Sequence, residues 1–237
     1  MGESSAQFAA AMRLLDNIVW HSLAGPQAKF SSGTATARRY ARGFSPIIGF
    51  ADAQNPDFDA LIPFCDPDEH FYVGAWTGPM PANWRLHNET VGHQMVWNRG
   101  LPADDPGLLA VPLDALHVPQ MLELVQIRPP GPFAVRTREL GDYFGVFEGG
   151  RLVAMAGERM EAGPLREVSG VCTHPEFEGR GLARRLIAKL VRRQMERGQI
   201  PFLHVMRDNV HAREVYARMG FRLQQEVALR VVSRCGE

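Results

Sequence analysis

Apolar residues recur at helical spacing in SAQFAAAMRLLDNIVWHSL and predict a helix over residues 5–23, stopped by Gly25 and Pro26. The pattern then changes. FSPIIGFAD, HFYVGAWTG and ETVGHQMVW are rich in β-formers and read as strands, with NPDFDALIPFC as a short capped helix between the first two. NRGLPADDPGL, residues 98–108, packs Gly, Pro and Asp between two apolar segments and is the best boundary in the chain. It separates a mixed α and β region, 1–103, from a second part, 104–237.

The second part is punctuated more sharply. LLAVPL predicts a short strand, Asp114 caps a helix over 115–126, and RPPGP ends it. In YFGVFEGGRLVAMAGERM two apolar runs flank Glu148, Gly149, Gly150 and Arg151, a hairpin signal. LREVSGVCT is a further strand. EGRGLARRLIAKLVRRQMERG is a helix with Leu182, Leu186, Ile187, Leu190 and Val191 on one face, closed by Gly198. PFLHVM reads as a buried strand. NVHAREVYARMG is a second helix, capped by Asp208 or Asn209 and closed by Gly220, and FRLQQEVALRVV gives the last strand or strands. Strands alternating with helices, plus one hairpin, imply an α/β (α+β mixed) chain whose mixed sheet carries helices on both faces.

Composition narrows the function classes. The 237 residues carry a formal net charge of zero, so no global field favours nucleic acid or an anionic membrane, and neither is expected as a partner. No apolar run reaches the ~18 residues of a membrane span, and the start lacks a basic n-region. Cys65, Cys172 and Cys235 form neither a metal spacing nor a disulfide framework, so reduced thiols in a cytoplasmic protein are expected. His21, His70, His87 and His93 share no metal-ligand spacing and read as structural or surface residues, and no metal is expected.

The stretch that carries chemistry is PEFEGRGLARRL, residues 175–186. Glycine is a poor helix former, yet two glycines stand at the mouth of a basic helix. Bare backbone there exposes N–H groups at the positive end of the helix dipole, a cradle for an anion such as a phosphate. A Walker loop needs Gly-Lys-Ser/Thr after four spacer residues, and none is present. A dinucleotide fingerprint needs a third small residue where Arg184 stands.

The surroundings resolve the question by resemblance. VCTHPEFEGRGLARRLI followed by PFLHVMRDNVHAREVYARMGF resembles the GNAT superfamily of acetyl-CoA-dependent N-acyltransferases, over about residues 108–232. That family's loop reads Gln/Arg-x-x-Gly-x-Gly/Ala; here it is Glu178, Gly179, Arg180, Gly181, Leu182 and Ala183. The family places Asn at the start of the following helix, Tyr about seven residues on, and then a Gly-Phe pair; here these are Asn209, Tyr216, Gly220 and Phe221. The resemblance implies a mostly antiparallel mixed sheet and acetyl-CoA as co-substrate. The cofactor would be held by residues 178–183, Asn209, Tyr216 and the strand end Val171, Cys172 and Thr173. Glu178 departs from the pattern, because a carboxylate facing a pyrophosphate repels it. Its side chain must therefore point away, or only its N–H serve. Arg180, Arg184 and Arg185 are candidates for compensating charge, a solvated helix face being the other account. The N-terminal part is either a degenerate copy of the fold or a lid, as in glycine N-acyltransferase-like members.

An amine must lose a proton to attack a thioester, and a carboxylate can accept it. Glu167 matches a strand position where some members hold that base, with Glu158 ranked second. Tyr216 matches the donor that protonates the leaving thiolate, and backbone N–H groups of residues 171–173 are the source of oxyanion donors. Cys172 as an acyl-carrying nucleophile is the weaker alternative, and His174 reads as a turn residue. For the acceptor, Arg136 and Arg138 are candidates to bind a substrate carboxylate, and Phe133 and Tyr143 to frame an apolar group, with loop charge and packing as the other account. The leading expectation is acetyl transfer to a small-molecule primary amine in a ternary complex. The alternatives are a peptide or protein amine as acceptor, or a non-enzymatic CoA-binding module. A homodimer is left open.

Overall fold

The computed structural model describes residues 2–67 and 69–236. In chain order the elements are α1 (Gly2–Leu14), α2 (Ile18–Ala24), β1 (Ser31–Gly33), β2 (Ala37–Tyr40), β3 (Ile47–Phe50), β4 (His70–Gly74), β5 (Trp84–Trp97), β6 (Val111–Pro112), α3 (Val118–Ile127), β7 (Tyr143–Glu148), β8 (Arg151–Ala162), β9 (Leu165–Thr173), α4 (Leu182–Glu196), β10 (Ile200–Met206), α5 (Val210–Met219) and β11 (Phe221–Arg234). All strands join one mixed sheet of order β1-β2-β3-β4-β11-β5-β10-β9-β8-β7-β6, in which only β3–β4 and β9–β10 run parallel. Strand β5 comes from before the 98–108 segment yet lies between β10 and β11 from after it.

Helices cover both faces. Leu186, Ile187, Leu190 and Val191 of α4 pack with Val153, Val168 and Leu203 on one side. On the other, Leu15, Ile18 and Leu23 pack with Leu165 and Phe202, and Met121 and Leu124 of α3 with Met155. A third cluster around Phe58, Phe71 and Trp84 closes the far end of the sheet. Among the described residues no helix is long and apolar enough to cross a membrane, and no group of His, Cys, Asp and Glu is placed to hold a metal ion.

The long N-terminal helix expected over 5–23 is split. Leu15–Asn17 form a 3-10 turn, and Asn17 leaves helical geometry at φ −143° while its amide donates to the Phe50 carbonyl at 2.8 Å. Asp16 and Asn17 favour such local alternatives over a continuous helix. Residues 59–64 form a 3-10 helix with Pro63 inside it, and β1 and β2 lie in a stretch where the sequence pattern gave no strand signal. Elsewhere boundaries follow the pattern closely: Asp114 accepts from the Leu116 N–H, and Asn209, not Asp208, caps α5 through Ala212.

Candidate active site

β9 and β10 pair in parallel only where Ile200, Pro201 and Phe202 face Leu165, Arg166 and Glu167. Past that point they part, and β10 continues against β5 while β9 continues against β8. The side of β9 that faced β10 is therefore left with an unpaired backbone edge. A cleft of 770 Å³ opens there, and its lining includes Val171, Val205, Asn209 and Tyr216 together with Leu15, Asp16, Tyr72 and the Pro129–Pro132 stretch.

The glycine loop follows β9 and heads α4. Gly179 and Gly181 have φ of +76° and +74°, the left-handed region that glycine enters without penalty. A Cβ on Gly179 would meet nothing within 4 Å, so that face is open. Gly181 caps α4 with no side chain, and the first backbone bond of the helix is Arg185 N–H to the Gly181 carbonyl at 3.1 Å. The N–H groups just before Arg185 have no helical acceptor. These features fit an anion the size of a pyrophosphate. The Glu178 carboxylate is turned onto Arg128 at 2.7 Å, and its N–H reaches the Pro175 carbonyl at 3.2 Å, so neither group faces the cradle as a free partner. Arg180 pairs with Glu148 and Arg185 with Asp105. Arg184 has no carboxylate partner among the described residues, and a guanidinium nitrogen lies 3.4 Å from where a Cβ on Gly181 would stand. Gly179→Ala is expected to lower acetyl-CoA affinity by about tenfold in calorimetric titration, with a folding cost of about 1–2 kcal/mol from the left-handed backbone. Unchanged affinity in the folded variant would remove the cradle.

In β9 a register shift between Ser169 and Cys172 leaves Gly170, at φ +60°, and Val171 without partners on β8. Such a bulge re-aims a side chain, and Val171 faces the cleft. Cys172 is buried against α3, and burial pushes its thiol up to about 12, which disfavours the thiolate a nucleophile needs. The Thr173 hydroxyl is buried with no hydrogen-bond partner. Tyr216 lines the cleft edge-on to Phe221, and burial pushes its phenol up to about 12. His174 is held in its turn by the Glu176 N–H and by Arg151.

Glu167 is placed differently from the role its strand position implied. It is 1% exposed and does not line the cleft. A second bulge, between Glu158 and Glu161, sets Arg159 and Met160 opposite it. Its oxygens accept from Arg159 Nε and a terminal nitrogen at 2.9 and 2.8 Å, from the Met160 N–H at 3.2 Å, and from His204 Nδ1 at 2.8 Å. Burial opposes its charge, yet the Arg159 guanidinium and the His204 hydrogen bond outweigh it and hold the carboxyl well below the usual range. A carboxylate so satisfied is a poor proton acceptor. Glu158, the runner-up, is fully buried on Arg166, Gln194 and Arg197.

The group that does reach the cleft is His204, on β10, with 14% of its side chain exposed. Sequence reasoning passed over it as part of a buried strand, and the available signal was one polar residue inside PFLHVM. Nor do the four acceptor candidates line the cleft. Arg136 pairs with Glu139 and lies over the Phe44 ring at 4.4 Å, and Arg138 sits on the same 3-10 turn. Phe133 and Tyr143 pack edge-on at 5.8 Å in the core under α3, where the buried Tyr143 hydroxyl has no partner.

Residues 143–231 match the family described as FR47-like protein. A crystal structure of a GNAT-family protein from Novosphingobium aromaticivorans superposes with a TM-score of 0.83 at 34% identity, over 94% of this chain and 99% of that one. The chain belongs to the GNAT superfamily of N-acetyltransferases. A GCN5-related N-acetyltransferase from Kribbella flavida shares the fold, with a TM-score of 0.59 at 14% identity over 96% of each chain. Over 108 residues the chain is 37% identical to the N-alpha-acetyltransferase RimI of Mycobacterium tuberculosis, a match spanning 43% of this chain and 65% of that relative's length.

Proposed function

We propose that this protein transfers an acetyl group from acetyl-CoA to the primary amine of a small molecule with an apolar body. The observation that carries this is the single cleft that joins Tyr216, His204 and the free edge of β9 to a chamber under the α1–α2 break. Acetyl-CoA, when bound, supplies an acetyl thioester activated toward amines. The N–H groups of residues 179–183 hold the pyrophosphate, with Arg184 as counter-charge. Backbone N–H groups of residues 171–173 are the donors available to a carbonyl oxygen in the cleft. His204 takes the proton of the amine, and Glu167 steadies the imidazolium that results. Tyr216 keeps its proton at neutral pH, because burial pushes the phenol up to about 12, and gives it to the leaving sulfur. Residues 104–237 hold the cofactor, while 1–103 supply β5 and part of the acceptor wall. The three cysteines are unpaired, which fits a reducing, cytoplasmic setting.

Charge supports the acceptor class. Asp16 is the only carboxylate among the described lining residues, and Arg128 and Arg159 are already paired with Glu178 and Glu167. The chamber therefore attracts an ammonium and offers no unpaired cation to a substrate carboxylate. Leu15, Ile18, Ile47 and Leu229 supply the apolar surface. A peptide α-amine is the second reading, favoured by the likeness to RimI. The family match at 143–231, however, leaves out Leu15–Asn17, Ile47 and Tyr72, which wall the acceptor end. A thiol-release assay with apolar monoamines, amino acids and short peptides decides: peptide-only turnover would replace the small amine. On the acceptor so found, Tyr216→Phe is expected to lower kcat by about 10²-fold with acetyl-CoA affinity unchanged. Wild-type kcat would return Tyr216 to packing.

A further inference from the structure

His204 is one member of a polar row that crosses four strands. Gln94 of β5 stands directly opposite it, and Gln225 of β11 stands opposite Gln94. The second register exists because β11 bulges between Leu223 and Gln225. Without that extra residue Gln224 would oppose Gln94. The bulge thus sets Gln225 rather than its neighbour Gln224 in the row.

The hydrogen bonds of Gln94 leave one assignment. It is 1% exposed, so its amide must be satisfied within the protein. One end lies 3.2 Å from the Leu15 carbonyl, which can only accept, so that end is the NH₂. The other end accepts from Gln225 Nε2 at 2.8 Å. The same NH₂ lies 3.0 Å from His204 Nε2. It has two hydrogens, one for Leu15 and one for His204, so His204 Nε2 is the acceptor. On the far side of the ring, Glu167 is an ionised carboxylate held by Arg159 and can only accept, so Nδ1 carries the hydrogen. Two independent constraints, from β9 and from β5, select the same tautomer.

We propose that Gln94, clamped by Gln225 and the Leu15 carbonyl, is a positioning residue that keeps Nε2 of His204 unprotonated by donating a hydrogen bond to its lone pair. This rests on the reading of His204 as proton acceptor. A proton placed on Nε2 without an acceptor molecule present would set two donors head to head, His204 N–H against Gln94 N–H. An incoming amine that displaces the Gln94 N–H removes that conflict as it delivers its proton. The charged groups around the ring are Glu167 on β9 and Arg159 on β8, which hold each other. The remaining partner, Gln94, is neutral and is the one able to give way. The same amide anchors Leu15, at the α1–α2 break, so the acceptor wall and the tautomer share one clamp.

The test uses full-length protein labelled with ¹⁵N-histidine, with the His204 signals assigned through His204→Gln. At alkaline pH the wild type should show Nδ1 protonated and Nε2 bare. Gln94→Glu replaces the donor by a carboxylate and should put a proton on Nε2, lowering kcat by about 10²-fold with an unchanged KM for acetyl-CoA. Gln94→Met, of similar length and with neither hydrogen bond, should give a smaller loss. A protonated Nε2 in the wild type overturns the proposal even if no variant folds, as does full kcat in both Gln94 variants. Full kcat in His204→Gln instead overturns the proton-acceptor reading and leaves the tautomer assignment to stand or fall on the spectra.

Discussion

His204→Gln is expected to lower kcat by about 10²–10⁴-fold, the usual share of general base catalysis, with acetyl-CoA affinity unchanged. The imidazole reaches the cleft, its Nδ1–H is fixed on Glu167, and its other nitrogen is the unprotonated one. Glutamine preserves length and can still donate toward Glu167, so the fold should survive. What it lacks is a ring nitrogen whose lone pair can take a proton. Steady-state kinetics on a confirmed acceptor, with calorimetric titration of acetyl-CoA, separate chemistry from binding. Wild-type kcat would return the imidazole to a structural part and leave solvent as the proton sink.

Glu167→Gln is expected to act first on stability, by about 3–5 kcal/mol, because it strands the buried Arg159 guanidinium without a counter-charge. Chemical denaturation at neutral pH measures it, and a loss under 1 kcal/mol would contradict the ion-pair role. The pH dependence carries a definite sign. The folded protein holds the Glu167 carboxyl below its unfolded value of about 4.3. Its stabilisation is therefore complete above that value and is lost as pH falls toward the folded one. The gap in Tm between wild type and variant should be widest near neutrality and narrow in acid. A gap that widened in acid would reverse the assignment. Some loss of kcat should accompany the change, since His204 then lacks the carboxylate that steadies its imidazolium.

The glycine loop proposed to hold the cofactor was legible because its parts are consecutive. Gly179, Gly181 and the basic amphipathic run after them set both the left-handed turn and the helix start, and no distant residue is needed to make them a cradle. The same holds for the hairpin at Glu148 and Arg151 and for the Asn209 cap, where the deciding interactions span a few residues. Glu167 could be placed on its strand, where its neighbour Val168 packs on the α4 side.

Its chemistry was not legible, because two things fixed it from elsewhere. The bulge at Arg159 and Met160 aims a guanidinium at it, and β10 lays His204 across it. Bulges change register by one residue and so reverse which side chains meet, and the sequence pattern carries no mark of where they fall. The acceptor chamber is more remote still, since Leu15, Tyr72, Gln94 and His204 converge only when β5 slots between β10 and β11. Local propensity and hydrophobic period thus determined most of the elements and the glycine-headed start of α4, while the family rested on the resemblance carried by the motifs from Val171 to Phe221. The sheet order and its bulges decided that an imidazole lines the cleft while the Glu167 carboxylate stays buried, because charge and tautomer depend on neighbours that only long-range pairing brings within hydrogen-bond reach.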